Sequence, residues 1–317
     1  MVKLAPLALA IAAVAACGDE PPAVVNPGGL VHSEAQGVRP IEVARAAKDV
    51  RELARALAMP HHQVTTLLGN HTFSGESTIE VREKGAVVDA LTVTTSIAMA
   101  DGGEVAAKLT NSKDYGREVV FKDHILYLRG RYGDFLARPP QTDTEVATIC
   151  DEIYGDAGAY FALLASGATA SEKGTADHHG RKATRIAITT ASEPRKIAAS
   201  DLPQRAWRED AKIESVTGEV LLDDKTGAPL AAHVKGKVAF ARDGHHFEMT
   251  ITASGEITGI GESATITAPP PEHTAPPHAS LRELAERKQL LRGIAPPPRR
   301  APTPENPTGI ARPEAVQ

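Results

Sequence analysis

The chain has little cysteine. Two stand in 317 residues, Cys17 and Cys150, where an exported domain stapled by disulfides carries several at spaced positions. A disulfide framework is therefore excluded, and burial of apolar surface must hold the fold. Aromatic side chains make up 4% of residues, too few for a carbohydrate site built from stacked rings. Cations are not in excess either: 35 Lys and Arg face 40 Asp and Glu, for a formal net charge of −5. That balance argues against nucleic acid as a partner. The motifs of common chemistries are missing too. There is no Gly-x-Ser-x-Gly elbow, His-Glu-x-x-His pair, P-loop or dinucleotide fingerprint. No catalytic residue and no cofactor are expected. What is abundant is hydrophobic residues, at 42%, enough for a core in one or two domains.

The chain opens with MVKLAPLALAIAAVAACGDE. Lys3 precedes an apolar run from Leu4 to Ala16. The run is too short for a bilayer span, which takes about 20 apolar residues. Small residues close it, as at the cut site of a secretory signal. Val14-Ala15-Ala16-Cys17 resembles the bacterial lipobox, which implies that Cys17 is acylated and becomes the first mature residue. Loss of residues 1–16 removes Lys3 and moves the net charge from −5 to −6. The first expected partner is then a membrane, reached through Cys17. The expected address is the bacterial cell envelope, facing the periplasm. Gly18 follows Cys17 in place of the aspartate associated with inner-membrane retention, which favours the outer membrane. Residues 17–38 carry Pro, Gly and acids without periodicity and read as a flexible tether.

A domain is expected over residues 39–268. Val43, Ala46, Ala47, Val50, Leu53, Ala54 and Leu57 recur at helical spacing, so one amphipathic helix should end before Pro60. From Thr72 the period becomes two. Phe73, Gly75, Ser77, Ile79 and Val81 alternate with polar residues, and Leu91, Val93, Thr95 and Ile97 follow after a Glu83-Lys84-Gly85 turn. Shorter strands are expected at Glu104–Leu109, Glu118–Lys122 and Ile125–Arg129. Thr142 and Glu145 fit a capping box, and an apolar stripe then runs from Val146 to Leu164. Gly155 and Gly158 interrupt that helix, and each costs about 1 kcal/mol relative to alanine. Strands should return at Ala168–Ala176, Arg181–Thr189, Val216–Leu222 and in a hairpin turning at Arg242-Asp243-Gly244. The class is thus α+β, mainly β: an antiparallel meander with one greasy face and an inserted helix. After Ile266 prolines cluster, and residues 269–317 read as a Pro-rich tail with arginines and one short helix at Leu281–Leu291.

Candidate sites have ordinary readings beside sharper ones. Three adjacent histidine pairs stand at His61-His62, His178-His179 and His245-His246. Neighbours on a strand point to opposite faces, so a pair cannot easily serve one ion, and no metal is expected. Asp223-Asp224 and Asp151-Glu152 read as solvated charge rather than acid–base machinery. Cys150 lies on an apolar stripe and reads as a small buried hydrophobe. The aromatics Tyr115, Phe121, Tyr127, Tyr132 and Phe135, with Tyr154, Tyr160 and Phe161, fall on the central strands and the inserted helix. Either they are the core, or they line an apolar cavity beneath a helical lid. In the second case Ile153, Tyr160 and Phe161 line it from the helix. Val238, Phe240, Met249 and Ile251 line it from the sheet.

The lipobox, tether, N-terminal helix, long meander and inserted helix, with the turn Asp223 to Leu230 (Asp-x-x-x-Gly-x-Pro-Leu), together resemble the LolA-like half-barrel group. That group includes carriers of lipoproteins and lipids in the bacterial envelope. The resemblance implies a curved half-barrel sheet closed by helices over an apolar groove for acyl chains. Two functions stay open. One is a lipid-anchored protein that binds a lipid or other apolar ligand between sheet and helix. The other is a structural or interaction lipoprotein with a filled core, whose tail contacts an envelope polymer or protein.

Overall fold

A computed structural model describes residues 41–193 and 211–275. Cys17, the signal, the tether and the helix at 281–291 lie outside the described residues. Five helices and twelve strands are found among the described residues. The helices are α1 (Val43–Ala46), α2 (Val50–Leu57), α3 (His61–Leu68), α4 (Glu145–Tyr154) and α5 (Asp156–Leu164). The first half of the sheet holds β1 (Thr72–Glu83), β2 (Ala86–Met99), β3 (Val105–Asn111), β4 (Gly116–Lys122), β5 (Ile125–Gly130) and β6 (Phe135–Arg138). The second half holds β7 (Ala168–His178), β8 (Arg181–Thr190), β9 (Lys212–Asp223), β10 (Pro229–Arg242) and β11 (His245–Thr258), and β12 (Thr274–Ala275) returns to the first half.

All twelve strands form one curved, open sheet in the order β12-β6-β5-β4-β3-β2-β1-β11-β10-β9-β8-β7. Two meanders, β1–β6 and β7–β11, are joined where β1 pairs with β11 from Thr72↔Thr258 to Glu83↔Phe247. Every pairing is antiparallel except β12 on β6. This is the mainly β, α+β half-barrel expected. Tight turns close the hairpins. Lys84-Gly85 and Asp243-Gly244 adopt left-handed φ values of 49°, 85°, 53° and 79°, which suits the right-handed twist of the flanking strands.

The helices lie against one face of the sheet. α4 packs on β2 and β3 and beside α3, while α5 packs on β1, β10 and β11. One continuous apolar core fills the space between, including Leu53, Ile97, Phe121, Ile153 and Phe161. No helix among the described residues is long and apolar enough to cross a membrane.

Several local expectations are corrected. The first helix is two, because Asp49 is extended and its carboxylate accepts from the Arg51 amide to cap a new start. The inserted helix breaks, as its glycines suggest, and does so at Gly155, dividing into α4 and α5. The Thr142 box does not form; Thr144 precedes α4 without a side-chain cap. Glu145 instead accepts from the Gln141 amide at 2.5 Å and pairs with the Arg138 guanidinium. Tyr132 is not core: it is 78% exposed in the turn before β6 and donates to Asp114 at 2.9 Å. The acid pairs are not free surface charge. Asp223 is buried and takes both Arg181 nitrogens at 3.0 Å. Asp151 accepts from His62, and Glu152 from Arg117 at 2.5 Å.

Beyond residue 258 the chain stays on the sheet. Ala264 donates to Met99, Ile266 is buried with Val120 and Phe135, and Thr274–Ala275 pair with Phe135–Leu136. The sheet therefore reaches past residue 268, where the sequence pattern ends the domain.

Candidate functional site: the seam between helices and sheet

The seam starts from glycines inside strands. Gly75 and Gly255 stand opposite one another across β1 and β11. An interior strand glycine weakens a strand unless something approaches closely there. Here it is the Phe73 ring: a Cβ on either glycine would stand 2.9 Å from it. Tyr154, the last residue of α4, meets the same ring at 4.5 Å between centroids, tilted by 57°. The chain of rings continues from Tyr154 to His61 at 5.4 Å and from His61 to His71 at 5.0 Å.

Hydrogen bonds fix the tautomers of that histidine pair. The Gly69 carbonyl can only accept, so His71 Nδ1 donates to it at 2.8 Å. His71 Nε2 is then an acceptor, and His61 Nε2 donates to it at 3.1 Å. Both rings are buried. Burial, then the neighbouring His71 and His62 rings, holds the His61 imidazole well below its usual pKa. Burial lowers His71 too, against the Gly69 bond that raises it. A proton on His71 Nε2 would set two N–H groups head to head.

Beside Phe73 and Tyr154 lies an apolar cleft between α2, α5, β10 and β11. Leu57, Phe73, Tyr154, Gly158, Leu230 and Ile257 form most of its wall. Its enclosed part is about 20 Å³, and it reaches about 330 Å³ with its open mouth counted. The enclosed part holds no more than a water. Gly158 brings α5 down onto α2, since a Cβ there would stand 2.3 Å from the Leu57 carbonyl oxygen. Burial pushes the Tyr154 phenol far above its usual pKa. It likewise pushes the Cys150 thiol up to about 12, with Asp151 adding to it, so Cys150 is a buried thiol without nucleophilic character.

The residues expected to line a groove are distributed differently. Ile153, Phe161, Val238, Met249 and Ile251 are buried together in the main core, and Tyr160 is partly buried against it. Val238 pairs with Met249, and Gly236, opposite Ile251, lies under Leu164 of α5. Phe240 lies farther along the sheet, stacked on Phe247 at 5.3 Å near the hairpin tip. None of these seven residues is on the cleft wall. The signal that marks the cleft is the pair of interior glycines at 75 and 255.

No family model and no curated protein matches the chain. Solved structures do. The chain is similar to lipoprotein LppX from Mycobacterium tuberculosis at 10% identity, with 69% of this chain and 97% of that one covered and a TM-score of 0.26. It is similar to LprF from Mycobacterium bovis at 13% identity, covering 70% and 99%, TM-score 0.25. A LolA superfamily protein from Nitrosomonas europaea matches at 7% identity, covering 68% and 97%, TM-score 0.18.

Proposed function

We propose that this chain is a lipid-anchored protein of the bacterial cell envelope that takes an apolar ligand, an acyl chain in chemistry, into the seam between α5 and strands β10 and β11. Cys17 carries the anchor. The observation that carries the ligand reading is the cleft, whose wall is nearly all apolar and whose mouth is open. A ligand site needs a few hundred Å³, so α5 must lift for the ligand to enter. Gly155 at its start and the short turn Ala165–Gly167 at its end are where it would hinge. The reading is non-catalytic. The acids that a hydrolase would use, Asp151, Glu152, Asp223 and Asp224, are each tied to a cation or hydrogen-bond donor.

A second reading has its own support. Ile153, Phe161, Val238 and Ile251 are 1% exposed or less, as in a filled core at native density. On that reading the protein is a structural or interaction lipoprotein without a ligand. Titration of the full chain with a fluorescent fatty acid separates the two. Ala232 faces the cleft from β10, so Ala232→Phe fills the mouth without emptying the core. Saturable binding by the wild type, weakened about tenfold or more by Ala232→Phe, is expected. Absence of saturable binding by the wild type would leave the filled-core reading.

A further inference from the structure

The tip of the β7–β8 hairpin carries a site of a different kind. β7 ends at His178, and Asp177-His178-His179-Gly180 make the turn. His179 has a φ of +51° and Gly180 of +81°, and Asp177 accepts from the Gly180 amide at 3.0 Å. The left-handed turn undoes the strand rule that sends neighbours to opposite faces. The two imidazoles meet edge to face, 4.6 Å between centroids. The curl of the sheet then brings this tip to β11, where both rings find partners. His178 Nε2 donates to the Ile257 carbonyl at 2.7 Å, and His179 Nε2 lies 3.4 Å from Glu256 Oε1.

We propose that His178, His179 and Glu256 form a binding site for a borderline divalent cation, zinc first. A donor atom from each of the three lies within 4.8 Å of the others. Tetrahedral zinc at its usual bond lengths needs donors about 3.3–3.5 Å apart. The His179–Glu256 pair already meets that, and a small closure of the turn brings His178 in. The bond to Ile257 does what an outer partner does for a metal-binding histidine. It places the proton on Nε2 and leaves the Nδ1 lone pair for the ion. Two imidazoles and one carboxylate suit zinc better than magnesium or calcium, which prefer oxygen alone.

Three protein ligands leave a fourth position open, and two of them, His178 and Glu256, also line a groove of about 570 Å³ on the outer side of the sheet. Register places Glu219, His233, Ser254 and Glu76 in one row across β9, β10, β11 and β1. Glu256 lies on the same face two residues beyond Ser254. The row supplies carboxylates that draw a cation towards the turn.

The test is titration of the full chain, purified in detergent and stripped by a chelator, with zinc chloride against a chromophoric competitor. His179→Ala and Glu256→Gln are the informative variants. Both side chains are about half exposed, at 53% and 52%, and neither change touches the His178–Ile257 bond. One zinc per chain is expected for the wild type, with affinity reduced about tenfold or more in each variant. A wild type that takes up no zinc, or variants that bind as it does, would overturn the proposal.

Discussion

Among single residues, those that organise the seam are the ones whose protonation burial decides. His61 and His71 are neutral in the folded chain because burial lowers both, while in the unfolded chain each titrates near 6.5. Below about pH 6.5 the unfolded state therefore binds protons that the folded state refuses. The contribution of these two histidines to stability is level above that pH and falls below it, by up to about 1.4 kcal/mol per pH unit for each. Urea unfolding of His61→Gln between pH 5 and 7.5 should show a flatter dependence than the wild type. The same slope in both would remove His61 from the account. None of this is legible in the sequence, where His61-His62 is one adjacent histidine pair among three. A buried histidine declares itself only by its partners, and His71 and Tyr154 arrive from other elements. Asp223 is the same lesson with a carboxylate. Burial alone would raise its pKa, but bonds from Arg181 and Thr226 outweigh that and hold it below its usual value. A turn aspartate thus becomes a buried pin.

For whole elements, the contact that matters most is α5 against α2. A methyl at Gly158 would collide with backbone, the Leu57 carbonyl, which cannot rotate away. Gly158→Ala should destabilise the chain by about 1–3 kcal/mol despite a gain of about 1 kcal/mol in helix propensity. Gly155→Ala meets only the Asp151 carbonyl at 3.2 Å and should cost clearly less. Equal effects of the two in chemical denaturation would contradict the close packing. Strands and hairpins were the legible elements, since period-two patterns and Lys-Gly or Asp-Gly turns act locally. The β4–β5 turn falls where the two flanking strand patterns leave it, at Asp123 and His124, which adopt φ of 50° and 63° without any glycine. β6 is four residues long and too short for a pattern. The break at Asp49 was hidden because the apolar spacing runs on across it. The seam was not read from the helix stripe, because Ile153 and Phe161 are apolar enough for either core or cavity. Only the distant pairing of Gly75 with Gly255 marks where a ring must lie.

Over the whole molecule, two meanders meet at β1 and β11, and the helices that link them cover one face. That arrangement sets the apolar seam and the groove lined by Glu76, His233 and Glu256 on opposite faces of the same strands. The order of elements in the sequence suggests the half-barrel, but which strands are central depends on β1 pairing with β11, from Thr72↔Thr258 to Glu83↔Phe247, far apart in the chain. The anchor proposed at Cys17 would hold this body at a membrane surface. One acyl chain binds only marginally, so stable attachment requires several on that residue. Native mass spectrometry of the chain purified from bacterial membranes tests anchor and ligand together. The account predicts a mature chain that begins at Cys17, carries covalent acyl mass and releases one further non-covalent lipid on activation, with the lipid absent from Ala232→Phe. A wild-type chain of bare polypeptide mass, with neither acyl groups nor bound lipid, would contradict it.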